Sequence, residues 1–176
     1  SLESPGHILA YPGDEPVTRP RRIAFPPALA SAPPNGRGEA LVVVPSGPHA
    51  GALLTFAENP REGASQIAGA LLVGDAWRPL ALAASGGYAV TDAAFLPSGD
   101  LLVLERRFGF TTGVGMRIRR IAGADIVPGA VLDGPVVVEA DLGQEIDNME
   151  AIAVDRDARG TVVTLMSDDN GSMLQR

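Results

Sequence analysis

Lysine and cysteine are absent from the chain, and histidine occurs only at His7 and His49. Without Lys there is no P-loop lysine, no Schiff-base lysine and no lysine base. Without Cys there is no thiol nucleophile, no disulfide and no thiolate zinc or iron–sulfur site. Two His nearly exclude a multi-histidine metal centre. No apolar run approaches the roughly 18–20 residues that span a bilayer. The start, Ser1-Leu2-Glu3-Ser4-Pro5-Gly6, lacks the basic-then-apolar pattern of an export signal. It does not begin with Met, which reads as a mature or trimmed product. Basic charge is also scarce: 14 Arg face 21 acidic side chains, for a formal charge of -7 and a pI of about 4.7. That balance is the wrong sign for a nucleic-acid surface. Neither a nucleic-acid partner nor a membrane partner is expected.

What is present is 176 residues with 45% apolar side chains, enough for a domain with its own core. The 21 Gly and 15 Pro interrupt the chain every few residues. Short runs of Val, Leu, Ile and Ala alternate with turn signals, and no 3.6-residue apolar period persists. This pattern predicts strands near 39–45, 52–58, 67–73, 77–84, 88–96, 100–107, 116–122, 136–142, 149–155 and 161–167. A leader, 1–37, holds one or two more, around His7–Tyr11 and Arg22–Phe25. An Ala-rich helix at 64–73 or 80–85 is the alternative, opposed by Gly69, Gly74 and Pro79.

Three segments repeat a pattern. Each begins with an acid, Ala and an apolar strand: Glu39-Ala40-Leu41-Val42, Asp92-Ala93-Ala94-Phe95 and Glu150-Ala151-Ile152-Ala153. Each continues through a turn into a second strand ending in charge: Leu54 to Asn59, Val103 to Arg107, Thr164 to Asn170. Four short strands per roughly 40–50 residues is the spacing of β-propeller blades. The expectation is an all-β chain of four-stranded antiparallel blades: a blade at 38–84, a blade at 88–142 and a partial blade at 147–176. A ring needs at least about four blades, so the ring is expected to be incomplete. Further blades from a parent chain or a second chain would complete it. A smaller β-sandwich with coincidental spacing is the competing reading.

The stretch Thr91-Asp92-Ala93-Ala94-Phe95-Leu96-Pro97-Ser98-Gly99-Asp100-Leu101-Leu102-Val103-Leu104-Glu105-Arg106 resembles the phytase-like domain family of bacterial secreted proteins. So do Gly115 to Ile121, Asp147-Asn148-Met149-Glu150-Ala151-Ile152-Ala153-Val154, Ser167-Asp168-Asp169-Asn170 and Leu174-Gln175-Arg176. The resemblance covers most of 38–176 and implies a propeller. It also implies a periplasmic or secreted location and a hydrolase acting on a small phosphorylated substrate. The family's recurrent acids match Glu39, Asp92, Glu105, Glu150, Asp168 and Asp169.

The residues narrow the chemistry further. Neither His lies in an Arg-His-Gly loop, so a histidine phosphatase is disfavoured. No Gly-x-Ser-x-Gly elbow surrounds Ser46, Ser85 or Ser98, so a serine esterase is disfavoured as well. Hydrolysis on clustered carboxylates remains, with Ca²⁺ as the fitting cation because it takes about 6–8 oxygen ligands and needs no His. No organic cofactor is expected. If each opening acid starts the innermost strand of its blade, Glu39, Asp92 and Glu150 meet at one mouth of the channel as catalytic or metal-binding groups. Glu105, Asp168 and Asp169 are the further candidate ligands. Arg106, following Glu105 at a strand end, is the candidate for holding phosphate.

Simpler roles compete at each position. Opening acids also serve as caps or ties to the next blade, and Asp168-Asp169-Asn170 also suits a solvated loop. Arg117 and Arg119 share one strand face, opposite Ile118 and Arg120, and suit salt bridges to Glu105 and Glu139. Gly109 to Gly115 reads as a hairpin connection, and Trp77 as blade packing. Two other functions fit the same fold: a non-catalytic binding propeller with structural carboxylates, and a sugar or lactone hydrolase using a central Ca²⁺.

Overall fold

The computed structural model describes residues 7–11, 19–30, 32, 36, 38–109, 113–144, 146 and 148–168. These residues form an all-β fold whose 13 strands match the alternation of apolar runs and turns. The hairpin β1 (His7–Ala10) and β2 (Arg21–Ala24) leads into a single 3-10 turn at Pro27–Leu29. The first blade is β3 (Ala40–Val43), β4 (Leu53–Phe56), β5 (Gln66–Val73) and β6 (Ala76–Ala83). The second begins with β7 (Ala89–Phe95), β8 (Leu101–Gly109) and β9 (Gly113–Ile121). Its fourth strand is β11 (Val136–Asp141). A hairpin of β12 (Met149–Asp157) and β13 (Gly160–Ser167) follows. The segments 64–73 and 80–85, weighed as helices, belong to the antiparallel pair β5–β6 and its flanks. No described helix is long and apolar enough to cross a membrane.

One strand was not anticipated. β10 (Val131–Leu132) leaves the second unit and pairs in parallel with β6, giving the first sheet the order β10-β6-β5-β4-β3. A two-residue Val-Leu between Gly129 and Asp133 is too short to show any period. Its pairing covers the outer edge of the first blade, which would otherwise expose open backbone groups.

The run Leu101-Leu102-Val103-Leu104 explains how the blades pack. Alternate side chains of a strand point to opposite faces. Leu101 and Val103 enter a core shared with Leu54, Phe56, Leu71 and Leu82 of the first blade. Leu102 and Leu104 enter a second core with Met116, Ile118 and Ile152 of the hairpin. A sheet buried on both faces by its neighbours is the packing of stacked blades. The innermost strands lie side by side, β3 beside β7 and β7 beside β12. The architecture is an incomplete β-propeller-like arc. Trp77 packs partly buried on the first core, and its Nε1 donates to the Ala24 carbonyl at 2.7 Å, tying the leader hairpin to the first blade.

Candidate functional site: a charged mouth across three blades

The N-terminal ends of β3, β7 and β12 lie at one end of the arc, together with the C-terminal ends of β4 and β8. Glu39 immediately precedes β3, Glu58 lies two residues past β4, Arg106 is near the end of β8, and Asn148 and Glu150 flank the start of β12. Arg106 joins the three units. Its Nη2 donates to Glu58 Oε1 at 3.3 Å, and its Nη1 donates to Asn148 Oδ1 at 2.5 Å. The same Nη1 lies 3.3 Å from Glu150 Oε1. Asn148 Nδ2 donates to Glu150 Oε1 at 2.6 Å, so the buried amide is fixed between guanidinium and carboxylate. The backbone makes the matching link, Val90 N donating to the Glu58 carbonyl at 2.8 Å.

Glu39 completes this group in a different electrostatic state. It is half-buried and forms no ion pair among the described residues. Burial pushes its carboxyl above the ordinary glutamate value, and the negative charges of Glu58 and Glu150 push it further, with Arg106 opposing. Three carboxylates therefore surround one guanidinium, and one of them is held towards its protonated form.

The other sequence candidates separate from this group. Asp92 lies inside β7, just past a bulge at Thr91, and binds backbone. Its Oδ2 accepts from Ile152 N of the next unit at 2.9 Å, and its Oδ1 accepts from Ala93 N at 2.8 Å. Burial raises its carboxyl, and these two bonds oppose the rise. Glu105 is fully buried, gripped by Arg117 and Arg119 through four bonds of 2.7–3.1 Å. This is the salt-bridge role weighed for those arginines. Glu139, the other acid considered for them, instead accepts from Tyr88 Oη at 3.0 Å. Arg117 at 4.2 Å and Arg107 at 4.8 Å each lie over the Tyr88 ring. Asp168 is exposed, and its N–H donates to the Asn148 carbonyl at 2.9 Å. Asp169 lies outside the described residues.

Glu58 was not among the sequence candidates, and neither was Asn148. The signal for Glu58 lay in the repeat itself. It ends the second strand of its unit, as Arg106 and Asp168 do in theirs.

Calcium would need several carboxylates free to face one point. Among the described residues no three His, Asp or Glu side chains gather in that way. Glu105 is closed by two guanidiniums, Asp92 by two backbone N–H groups, and Glu58 and Glu150 by Arg106. These four carboxylates are thus already engaged by groups of the protein itself.

A family model described as phytase-like, esterase-like activity of phytase, matches residues 3–171. The match spans nearly the whole chain, and the chain belongs to that family. No curated protein and no solved structure matches it.

Proposed function

We propose that this member of the phytase-like family hydrolyses phosphate esters at the charged mouth, by acid–base chemistry between Glu39 and the carboxylates on Arg106. The observation that carries the reading is the unequal treatment of neighbouring acids. Glu39 is pushed towards its protonated form, while Glu58 and Glu150 are ion-paired. Environments that drive adjacent carboxyls apart mark an acid and a base. In the reaction, water attacks phosphorus and gives its proton to Glu150. The P–O bond to the alcohol breaks, and the leaving oxygen takes the proton of Glu39. Arg106 holds a phosphoryl oxygen as charge builds on it. No step requires a cation.

The test is release of inorganic phosphate from an aryl phosphate by the chain, with Glu39→Gln and Arg106→Gln alongside. Loss of a positioned general acid lowers turnover by about 10²–10⁴-fold. Turnover is expected to fall on the alkaline side as Glu39 ionises. Glu39→Gln turning over within about threefold of the parent chain would refute the assignment. Activity lost in EDTA and restored by Ca²⁺ would move the chemistry to a metal held by other groups.

A second reading, a non-catalytic binding propeller, is favoured by one observation. Arg106 already has Glu58, Asn148 and Glu150 as acceptors, so a substrate must displace at least one of them. Absence of turnover with any phosphate ester would favour that reading.

A further inference from the structure

At the far end of the first blade from Glu39 and Glu58, the β3–β4 and β5–β6 turns border an open cavity of about 400 Å³. The leader hairpin β1–β2 forms its opposite wall. That volume falls within the range of small-molecule sites, about 300–1,000 Å³. The wall is mixed: Ile23 and Leu72 contribute apolar surface, and Arg21 and His49 also line it. Among the described residues no Asp or Glu lines the cavity. A second cavity of about 300 Å³ continues along the hairpin, shares Arg21 and adds Arg19.

Arg21 differs from the arginines of the second blade and the mouth, though not from Arg22, Arg78 and Arg156, in having an unengaged guanidinium; what sets it apart is its place on the cavity wall. Arg106, Arg117, Arg119 and Arg120 are each ion-paired to carboxylates. The Arg21 side chain has no hydrogen bond or ion pair to any described residue. The turn that presents His49 closes on itself. Gly51, at φ 82°, donates to the Val44 carbonyl at 2.8 Å, and Ala52 N donates to the His49 carbonyl at 2.9 Å. Its inner backbone donors are therefore used, and recognition falls to side chains. A single guanidinium fork beside apolar surface matches a planar carboxylate with an apolar body.

We propose that this trough binds small organic monocarboxylates, the carboxylate on Arg21 with His49 assisting and the apolar body on the Ile23–Leu72 wall. The site is separate from the mouth and does not depend on turnover there.

Calorimetric titration of the chain with hexanoate, hexanol and inorganic phosphate at constant ionic strength tests it. Hexanoate is expected to bind saturably and to shift the His49 imidazole resonances, with hexanol and phosphate much weaker. Arg21→Gln is expected to weaken hexanoate at least about tenfold, the worth of a charge-assisted hydrogen bond. Arg156→Gln, which removes an exposed arginine elsewhere, should leave the affinity within about twofold. Arg21 is exposed, so its variant is expected to melt with the parent chain. Failure of hexanoate to saturate at millimolar concentration, hexanol binding as well as hexanoate, or equal losses in the two arginine variants would each overturn the proposal.

Discussion

Replacing Glu105 by Ala tests how the second blade is held together. The carboxylate has no solvent exposure, and the side chains of Arg117 and Arg119 are 8% and 3% exposed. Each carboxylate oxygen accepts from both arginines. Removing it leaves two buried guanidiniums with one remaining ion-pair partner, Asp133, which bonds Arg119 at 3.0 Å from a 70% exposed position. Breaking a buried ion pair from one side costs about 3–5 kcal/mol, and Arg117 is left with no ion-pair partner among the described residues. Domain stability is about 5–15 kcal/mol, so the variant should lose a large share of it. At about 2–4 °C per kcal/mol for a chain of this size, the melting temperature should fall by roughly 6–20 °C. Urea unfolding is the assay, with an unchanged slope showing that the folded state keeps its compactness. A second variant separates charge from shape. Glu105→Leu with Arg117→Met and Arg119→Leu removes all three charges and should recover most of the loss, because the desolvation cost vanishes with the pair. Glu105→Ala unfolding within about 1 kcal/mol of the parent chain would refute the account of the triad, since that is within the range of an exposed pair.

Three other perturbations read single contacts. The Glu39 carboxyl lies above its ordinary value, so its contribution to stability is present at acid pH and lost as pH rises through the folded value. Glu39→Gln should therefore be more stable than the parent chain at pH 7, with the gain shrinking towards pH 4. A Gln variant less stable at pH 7 would reverse the sign and sink the argument. Asp100 behaves oppositely, because the Gly123 N–H and the Arg120 guanidinium hold its carboxyl below the ordinary value. Asp100→Asn should cost stability at pH 7 and converge with the parent chain as the pH falls through the native carboxyl's range, measured by urea midpoints. Asp92→Ala leaves Ile152 N without its inter-unit acceptor, at a cost of about 1–3 kcal/mol. Hydrogen exchange should quicken first in β12 and β13, and unchanged exchange there would show that the tie holds nothing.

Much of the arc was legible because blades impose a coarse rhythm. Each strand is short, each turn carries Gly, Pro or Asp, and a strand covered on both faces reads as unbroken apolar sequence, as Leu101 to Leu104 does. The site was legible only in part. Spacing placed Glu39, Asp92 and Glu150 at equal points of three repeats; Glu39 and Glu150 share the mouth, and the backbone takes Asp92 away from it. Glu39 stands before its strand, Asp92 sits past the bulge at Thr91, and Glu150 is itself the unpaired residue of a bulge in β12. A bulge adds one residue and turns the following side chains to the other face, and nothing in a strand's composition announces it. The bulge at Thr91 therefore shifts the register at Asp92, whose carboxylate meets the next unit's backbone rather than the mouth.

The same geometry explains why Glu58 joins the mouth. Register equates Arg106, opposite Ala89, with Asp168, opposite Asn148, and the Glu58 N–H to Gly36 contact is the first blade's version of that pairing. Glu58 and Arg106, near the ends of the second strands of their units, meet across the two blades. Glu58 is negative and Arg106 positive, so the two pair across the first two units, and Arg106 reaches the third through Asn148 and Glu150. The mouth is thus built first as an inter-blade tie, which fixes Arg106 and leaves Glu39 as the carboxyl whose own charge goes unpaired. The proposed acid–base chemistry depends on that asymmetry, and a substitution that balances it, such as Glu58→Gln, should lower the Glu39 carboxyl towards its ordinary value by removing a charge that raises it. A carbon-13 titration of the Glu39 carboxyl in the two chains reads this directly, and identical titration curves would break the link between the tie and the acid.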